Sequence, residues 1–390
     1  MTDPRGRAKA FGLVLIALAS LTLGACASRS DAHLTPIVTA PPLAAARESL
    51  LVVSTRRASE RPGEVFSGAR GADSRLMIVD VSLPPDHRPG RIEWPRGRHV
   101  DPAKDFATLS ITPTNAAGAL TWFSARDTDG RVVVYVHGFN TPFDAAVYRY
   151  AQVNHDAGTR AAPVLFTWPS RGAITGYVYD RESAAASRDA LENALRLIVR
   201  TPSVKEVTVL AHSMGAWVAM EALRQYAIRE GRVDPKIDNV ILAAPDLDVD
   251  VFRQQFRALG PDRPSLMIMI SRDDRALRLS RFLAAGISRV GAVDLSQEPY
   301  RSDLAKLDGV TVVDLSHIKT GDRYNHNTFA TQPEIVRLLG ARLAGQRLET
   351  EKTRLGEKAG AIVVGVSQTL GGVAAKVSDP PLVKTAPAKP

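Results

Sequence analysis

Val207-Thr208-Val209-Leu210-Ala211-His212-Ser213-Met214-Gly215 is the stretch on which the fold turns. An apolar strand runs directly into an amphipathic helix through small–x–Ser–x–Gly. A turn this sharp crowds the backbone around the serine, so the positions two before and two after must be small. Gly215 meets that demand, and Ala211 replaces the glycine more often found there. The turn lifts the Ser213 hydroxyl above the carboxyl ends of the strands, where open α/β sheets place their sites. A serine before a helix is also a common N-cap. The strand before it and the helix after it favour a nucleophile-bearing turn. His212 is read as packing, because adjacent side chains diverge in such a turn.

Working outward, short apolar runs at 132–136, 164–168, 207–211, 240–243, 266–270 and 310–315 alternate with helical text. The helices are expected at 144–155, 181–199, 216–228, 251–259, 275–285 and 334–343. In the second of these Leu191, Leu195, Ile198 and Val199 share one face. Fully apolar strands between helices predict parallel strands covered on both faces and joined by right-handed crossovers. The fold class is therefore α/β, a doubly wound and mostly parallel sheet. Three more strands, at 50–55, 75–83 and 106–112, form an N-terminal strand layer.

The chain of 390 residues, 45% hydrophobic, is long enough for one large domain or two ordinary ones. Its net charge of +9 is spread over both ends, with no basic–aromatic stripe, so no nucleic-acid partner is expected. One cysteine excludes a disulfide scaffold and thiolate metal sites. Asp246, Asp248 and Asp250 hint at a calcium loop, but Val251 and Arg257 stand where glycine and glutamate are needed. No metal and no cofactor are expected.

That cysteine sits at an informative place. Arg5, Arg7 and Lys9 precede an apolar run, 11–23, too short to span a bilayer. This pattern is an export signal, and it ends in Leu23-Gly24-Ala25-Cys26, which resembles the lipobox of bacterial lipoproteins. The resemblance implies cleavage before Cys26 and acylation of its sulfur. It makes residues 1–25 a signal peptide and 26–48 a flexible tether. Residues 49–345 form the folded domain, and 346–390 a low-complexity, disordered tail. The expected location is the cell envelope, lipid-anchored and facing the periplasm. Ala27 rather than Asp after the cysteine favours the outer membrane over the inner.

A tetrahedral intermediate needs two N–H donors aimed at its charge. Met214, after the nucleophile, supplies one, and the loop His137-Gly138-Phe139-Asn140 offers Phe139 as the second. With YVHGFNT at 135–141, FTWPSRG at 166–172, LAHSMG at 210–215, AAPDLDVDVF at 243–252 and RDDRALRLS at 272–280, the chain resembles the α/β-hydrolase superfamily. It is similar to a bacterial esterase/lipase-like branch without an established reaction. The resemblance implies the fold and the nucleophilic serine and says little about substrate. The expected activity is that of a serine hydrolase on carboxylic esters, thioesters and amides being left open, with a small-molecule or lipid ester as substrate.

A serine needs a base, and the base an orienting carboxylate. The superfamily order, Ser then acid then His, leaves His317 and His326. His326 lies in the looser loop, and the branch's His-x-x-Phe pattern matches His326 to Phe329; it is preferred. Asp274, at the end of one strand, matches the branch better than Asp246 at the end of another. Asp273 could simply cap the following helix. Trp168, Tyr177, Tyr179 and Asp180 line the cleft or belong to the core. The spacing from Asp246 to Leu266 leaves no room for a large cap, so an open site walled by 286–308 is expected. The competing reading is a non-catalytic envelope scaffold on a hydrolase fold. The oligomeric state is not readable.

Overall fold

The strands alternate their side chains between two cores. In the computed structural model, Val132, Val134 and Val136 enter one buried cluster while Val133 and Tyr135 enter another. Leu266, Ile268 and Ile270 divide in the same way from Met267 and Met269. This period of two with no polar face is the mark of a sheet covered on both sides. The structure describes residues 34–344, apart from 62, 97–98, 285, 299, 301, 303–308, 319–321 and 323, together with the backbone of 362–365.

The sheet has ten strands in the order β10-β9-β8-β7-β6-β4-β5-β1-β2-β3. They are β1 Ala46–Ala58, β2 Phe66–Leu83, β3 Ala107–Thr114, β4 Arg131–Val136, β5 Ala162–Thr167, β6 Glu206–His212, β7 Ile237–Ala243, β8 Ser265–Ile270, β9 Val310–Asp314 and β10 Ile362–Gly365. The pairs from β1 through β5, β4, β6, β7 and β8 to β9 are all parallel. β2, β3 and β10 are antiparallel additions at the two edges. The N-terminal strands flank the parallel strands as expected and continue the same sheet, with Leu51 opposite Val164.

Nine helices are named among the described residues: α1 Ala116–Ser124, α2 Phe143–Ala157, α3 Tyr177–Ala186, α4 Arg188–Arg200, α5 Met214–Glu230, α6 Val249–Ala258, α7 Arg275–Leu283, α8 Thr328–Thr331 and α9 Pro333–Leu343. α2 and α9 cover one face, and α4, α5 and α6 the other. None is long and apolar enough to cross a membrane.

Three expectations change. The helix expected at 181–199 is two helices that meet at Ser187, whose hydroxyl donates back to the Ser183 carbonyl at 2.8 Å and lies 2.9 Å from Thr55 Oγ1. Part of the expected tether is packed: Leu34 is buried, Ile37 N–H donates to Thr108 O, and β1 already begins at Ala46. Four residues of the expected disordered tail form β10, with Val363 opposite Val313. Residues 1–33, with the signal peptide and Cys26, lie outside the described residues.

Candidate active site

The loops that follow β4, β5, β6, β7 and β8 gather at one end of the sheet, and Ser213 stands among them. It has φ 54° and ψ −124°, a region that non-glycine residues adopt only where the surroundings impose it. Ser213 N–H donates to Ala243 O at 2.9 Å, and its carbonyl accepts from Asp246 N–H and Ala216 N–H. The neighbouring glycines show why this turn must be small. A Cβ on Gly215 would lie 2.4 Å from His137 O and 2.6 Å from Val136 O, so α5 could not approach the end of β4. A Cβ on Gly138 would lie 2.7 Å from Ser213 Cβ. The His137–Asn140 loop and the serine turn are therefore in contact. Among the described residues no protein acceptor takes the N–H of Phe139 or of Met214.

Asp274 and His326 meet across 52 residues of sequence. His326 Nδ1–H donates to Asp274 Oδ2 at 2.6 Å, while Asp274 Oδ1 accepts from Leu277 N–H at 2.9 Å as the N-cap of α7. One fully buried carboxylate thus anchors a helix and an imidazole together. Burial alone would lower the pKa of His326, but the charge and hydrogen bond of Asp274 outweigh it and raise it above the usual 6.5. The loop is tied down by Asp322, whose Oδ2 accepts from His326 N–H and Asn327 N–H at 2.9 Å each. The ring of His212 packs 4.7 Å from those of His326 and Phe329, and its Nε2–H donates to His326 O at 3.2 Å. His326 is thereby held against the residue preceding Ser213, with 13% of its side chain exposed. No hydrogen bond joins His326 to Ser213 among the described residues, and such bonds are often open before substrate arrives.

The alternatives fall elsewhere. His317 is exposed on the turn after β9. Asp273 is exposed, and the cap is Asp274. Asp246 pairs with Arg289 at 3.1 Å and accepts from Ser280 Oγ at 2.5 Å and Tyr177 OH at 3.1 Å. Asp246, Arg289 and Tyr177, with Met214, Trp217 and Arg181, line a small pocket beside the serine turn. Asp248 caps α6 through Asp250 N–H and Val251 N–H, which gives the acidic run a structural purpose. The expected wall at 286–308 is represented by Arg289 to Ala292, which bonds to Pro245, Leu247 and Ser271.

Two further residues support the site: Asp180, which the sequence left between cleft and core, and Arg56, which it did not single out. Asp180 accepts from Ser170 Oγ at 2.5 Å, Arg171 N–H at 2.8 Å and Asn140 N–H at 3.3 Å, so it fixes the His137–Asn140 loop. Arg56 of β1 reaches the same loop from the other side. Neither belongs to a motif. Trp168 is fully buried and stacks on His137 at 4.9 Å, a core residue behind the loop. No cluster of three or more potential metal ligands exists among the described residues.

Residues 115–347 match the family described as alpha/beta hydrolase of unknown function (DUF900). The chain is similar to the uncharacterized protein alr1448 of Nostoc sp. (strain PCC 7120 / SAG 25.82 / UTEX 2576), with 27% identity over 129 residues, 26% of this chain and 33% of that protein. The similarity spans about a third of that relative's length. Among solved structures it is similar to the siderophore hydrolase EstB from Aspergillus nidulans, at 14% identity, covering 79% of this chain and 97% of that one, with a TM-score of 0.36. It is also similar to an esterase from Pyrobaculum calidifontis, at 11% identity, covering 77% and 85%, with a TM-score of 0.31.

Proposed function

The chain belongs to the alpha/beta hydrolases of unknown function, and on that premise we propose that it is a serine hydrolase of carboxylic esters, held at a bacterial membrane through acylated Cys26. Ser213 Oγ attacks the ester carbonyl while His326 Nε2 takes its proton. Asp274 holds the imidazole in the tautomer that leaves Nε2 free, and stabilises the imidazolium that forms. The N–H groups of Met214 and Phe139 receive the oxyanion. Collapse of the tetrahedral intermediate expels the alcohol with the proton from His326 and leaves an acyl group on Ser213. Water, activated by the same histidine, then releases the acid.

The observation that carries this reading is the 2.6 Å contact of Asp274 with His326, beside a serine at φ 54° between an apolar strand and a helix. The substrate is a small-molecule or lipid ester. Leu34, the first of the described residues and buried, lies eight positions after Cys26. A fully extended segment of that length spans at most about 29 Å, so acyl chains on Cys26 would hold the start of the folded domain near the bilayer. Ala27 rather than Asp after the cysteine is the ground for the outer membrane, facing the periplasm. The test is labelling by a fluorophosphonate probe, with Ser213→Ala as control. Wild-type protein that never labels would remove the enzyme reading and leave an envelope scaffold in its place.

A further inference from the structure

Behind the His137–Asn140 loop lies a cation that water does not reach. Arg56 is 1% exposed. Its Nε–H donates to Thr167 Oγ1 at 2.8 Å and Nη1–H to Ser170 O at 3.1 Å. Its Nη2 donates to Thr141 O at 2.7 Å and to His137 Nε2 at 3.1 Å. Among the described residues no carboxylate bonds to it. Burial lowers its pKa to about 10 against the distant charges of Asp180 and Asp144, so it stays cationic at neutral pH. A buried charge is costly, and an apolar residue would fill this place in β1 more cheaply if filling were all that was required.

The hydrogen bonds of His137 show what the cation does. Three groups meet its Nε2: Arg56 Nη2–H and Trp168 N–H donate to it at 3.1 and 3.2 Å, and Thr167 Oγ1, which already accepts Arg56 Nε–H, lies at 3.1 Å. A ring nitrogen that receives donors carries no proton, so the proton lies on Nδ1. Nδ1–H donates to Gly138 O at 2.8 Å. The Gly138–Phe139 peptide is planar and trans. Turning its carbonyl onto the imidazole therefore turns the Phe139 N–H the opposite way. Gly138 itself is pressed against Ser213.

We infer that Arg56 is a positioning residue for the oxyanion loop: through Nε2 of His137 it fixes the Gly138–Phe139 peptide so that the Phe139 N–H awaits the charge that develops beside Ser213. The inference rests on the serine-hydrolase reading. Arg56 lies outside residues 115–347, the part that matches the family, so the N-terminal strands supply a part of the site that the matched region lacks. Burial, and then the charge of Arg56, hold the pKa of His137 well below 6.5, which keeps the ring neutral while it acts as this link.

Two measurements on the full chain test it. In the wild type, ¹⁵N resonances of labelled histidine should show His137 neutral and protonated on Nδ1 at pH 7. A proton on Nε2, or an imidazolium, overturns the inference without any variant. Arg56→Met should lower kcat for p-nitrophenyl acetate by about 10²–10³, the worth of one oxyanion donor, with KM within about twofold. Arg56→Lys should recover part of that loss, because one ammonium can replace only some of the four bonds. Folded Arg56→Met with wild-type kcat overturns the inference. If that variant does not fold, wild-type kcat in Arg56→Lys does so. Wild type that never reacts at Ser213 defeats the hydrolase reading, while the histidine resonances still decide whether Arg56 fixes the peptide.

Discussion

Replacing Asp274 by asparagine asks one side chain to satisfy two donors with a single acceptor. Asp274 Oδ1 takes Leu277 N–H at 2.9 Å and Oδ2 takes His326 Nδ1–H at 2.6 Å. An asparagine that keeps its oxygen on Leu277 presents its NH2 to Nδ1, and the imidazole answers by moving its proton to Nε2. That tautomer satisfies every hydrogen bond but cannot accept the proton of Ser213. The flipped amide would preserve the tautomer, yet it sets NH2 against the Leu277 N–H and loses a cap worth about 1 kcal/mol. The first arrangement wins. The expected loss is about 10⁴ in kcat, or about 5.4 kcal/mol of transition-state stabilisation at 1.36 kcal/mol per factor of ten. The melting temperature should change little, because asparagine caps as well as aspartate. The pH profile gives an independent sign. His326 must be neutral to act, and Asp274 raises its pKa above 6.5, so wild-type kcat/KM should fall with acid through a midpoint above that value. In Asp274→Asn burial remains and the carboxylate is gone, so the residual activity should have its acid limb at lower pH. Stopped assays of ester hydrolysis across pH, with thermal melts beside them, read all of this. Activity within tenfold of wild type, at an unchanged melting temperature, would refute the reasoning. Asp246→Asn as the inactive variant would move the acid to the end of β7.

Gly215→Ala should destabilise by about 1–3 kcal/mol or displace the serine turn, because its Cβ would lie 2.4 Å from the backbone oxygen of His137; a denaturant melt showing wild-type stability contradicts the close packing of α5 on β4. His326→Ala should be nearly as damaging as loss of Ser213, and His317→Ala close to neutral since that residue is exposed; initial rates on a short ester reverse the assignment if the order is reversed. Native protein should sediment with membranes and be released by detergent rather than salt, and Cys26→Ser should block acylation without changing turnover of a soluble ester by purified protein. Extraction by salt alone would replace the lipid anchor with an electrostatic one.

The parallel sheet was legible because its strands are buried on both faces and so read as unbroken apolar runs, as 132–136 and 266–270 do. The serine turn was legible because its small residues are a local steric demand, seen now in the space around Gly215. What escaped notice is non-local. Arg56 meets His137 across 81 residues and Thr167 across 111, and in β1 it is one arginine beside another. Ser187 lies inside an uninterrupted helical periodicity, and its contact with Thr55 is 132 residues away in the chain. The double duty of Asp274, cap and partner of His326, was half visible: the sequence put a helix after it and left open which of two adjacent aspartates capped it.

The most direct test of the central claim is to trap the acyl-enzyme. Wild-type protein mixed with excess p-nitrophenyl acetate and quenched in acid within the first turnover should gain one acetyl group. Peptide mapping should place that group on Ser213, and Ser213→Ala should gain none. An acetyl group found elsewhere, or turnover with no acylated intermediate in wild type and undiminished turnover in Ser213→Ala, would contradict the account.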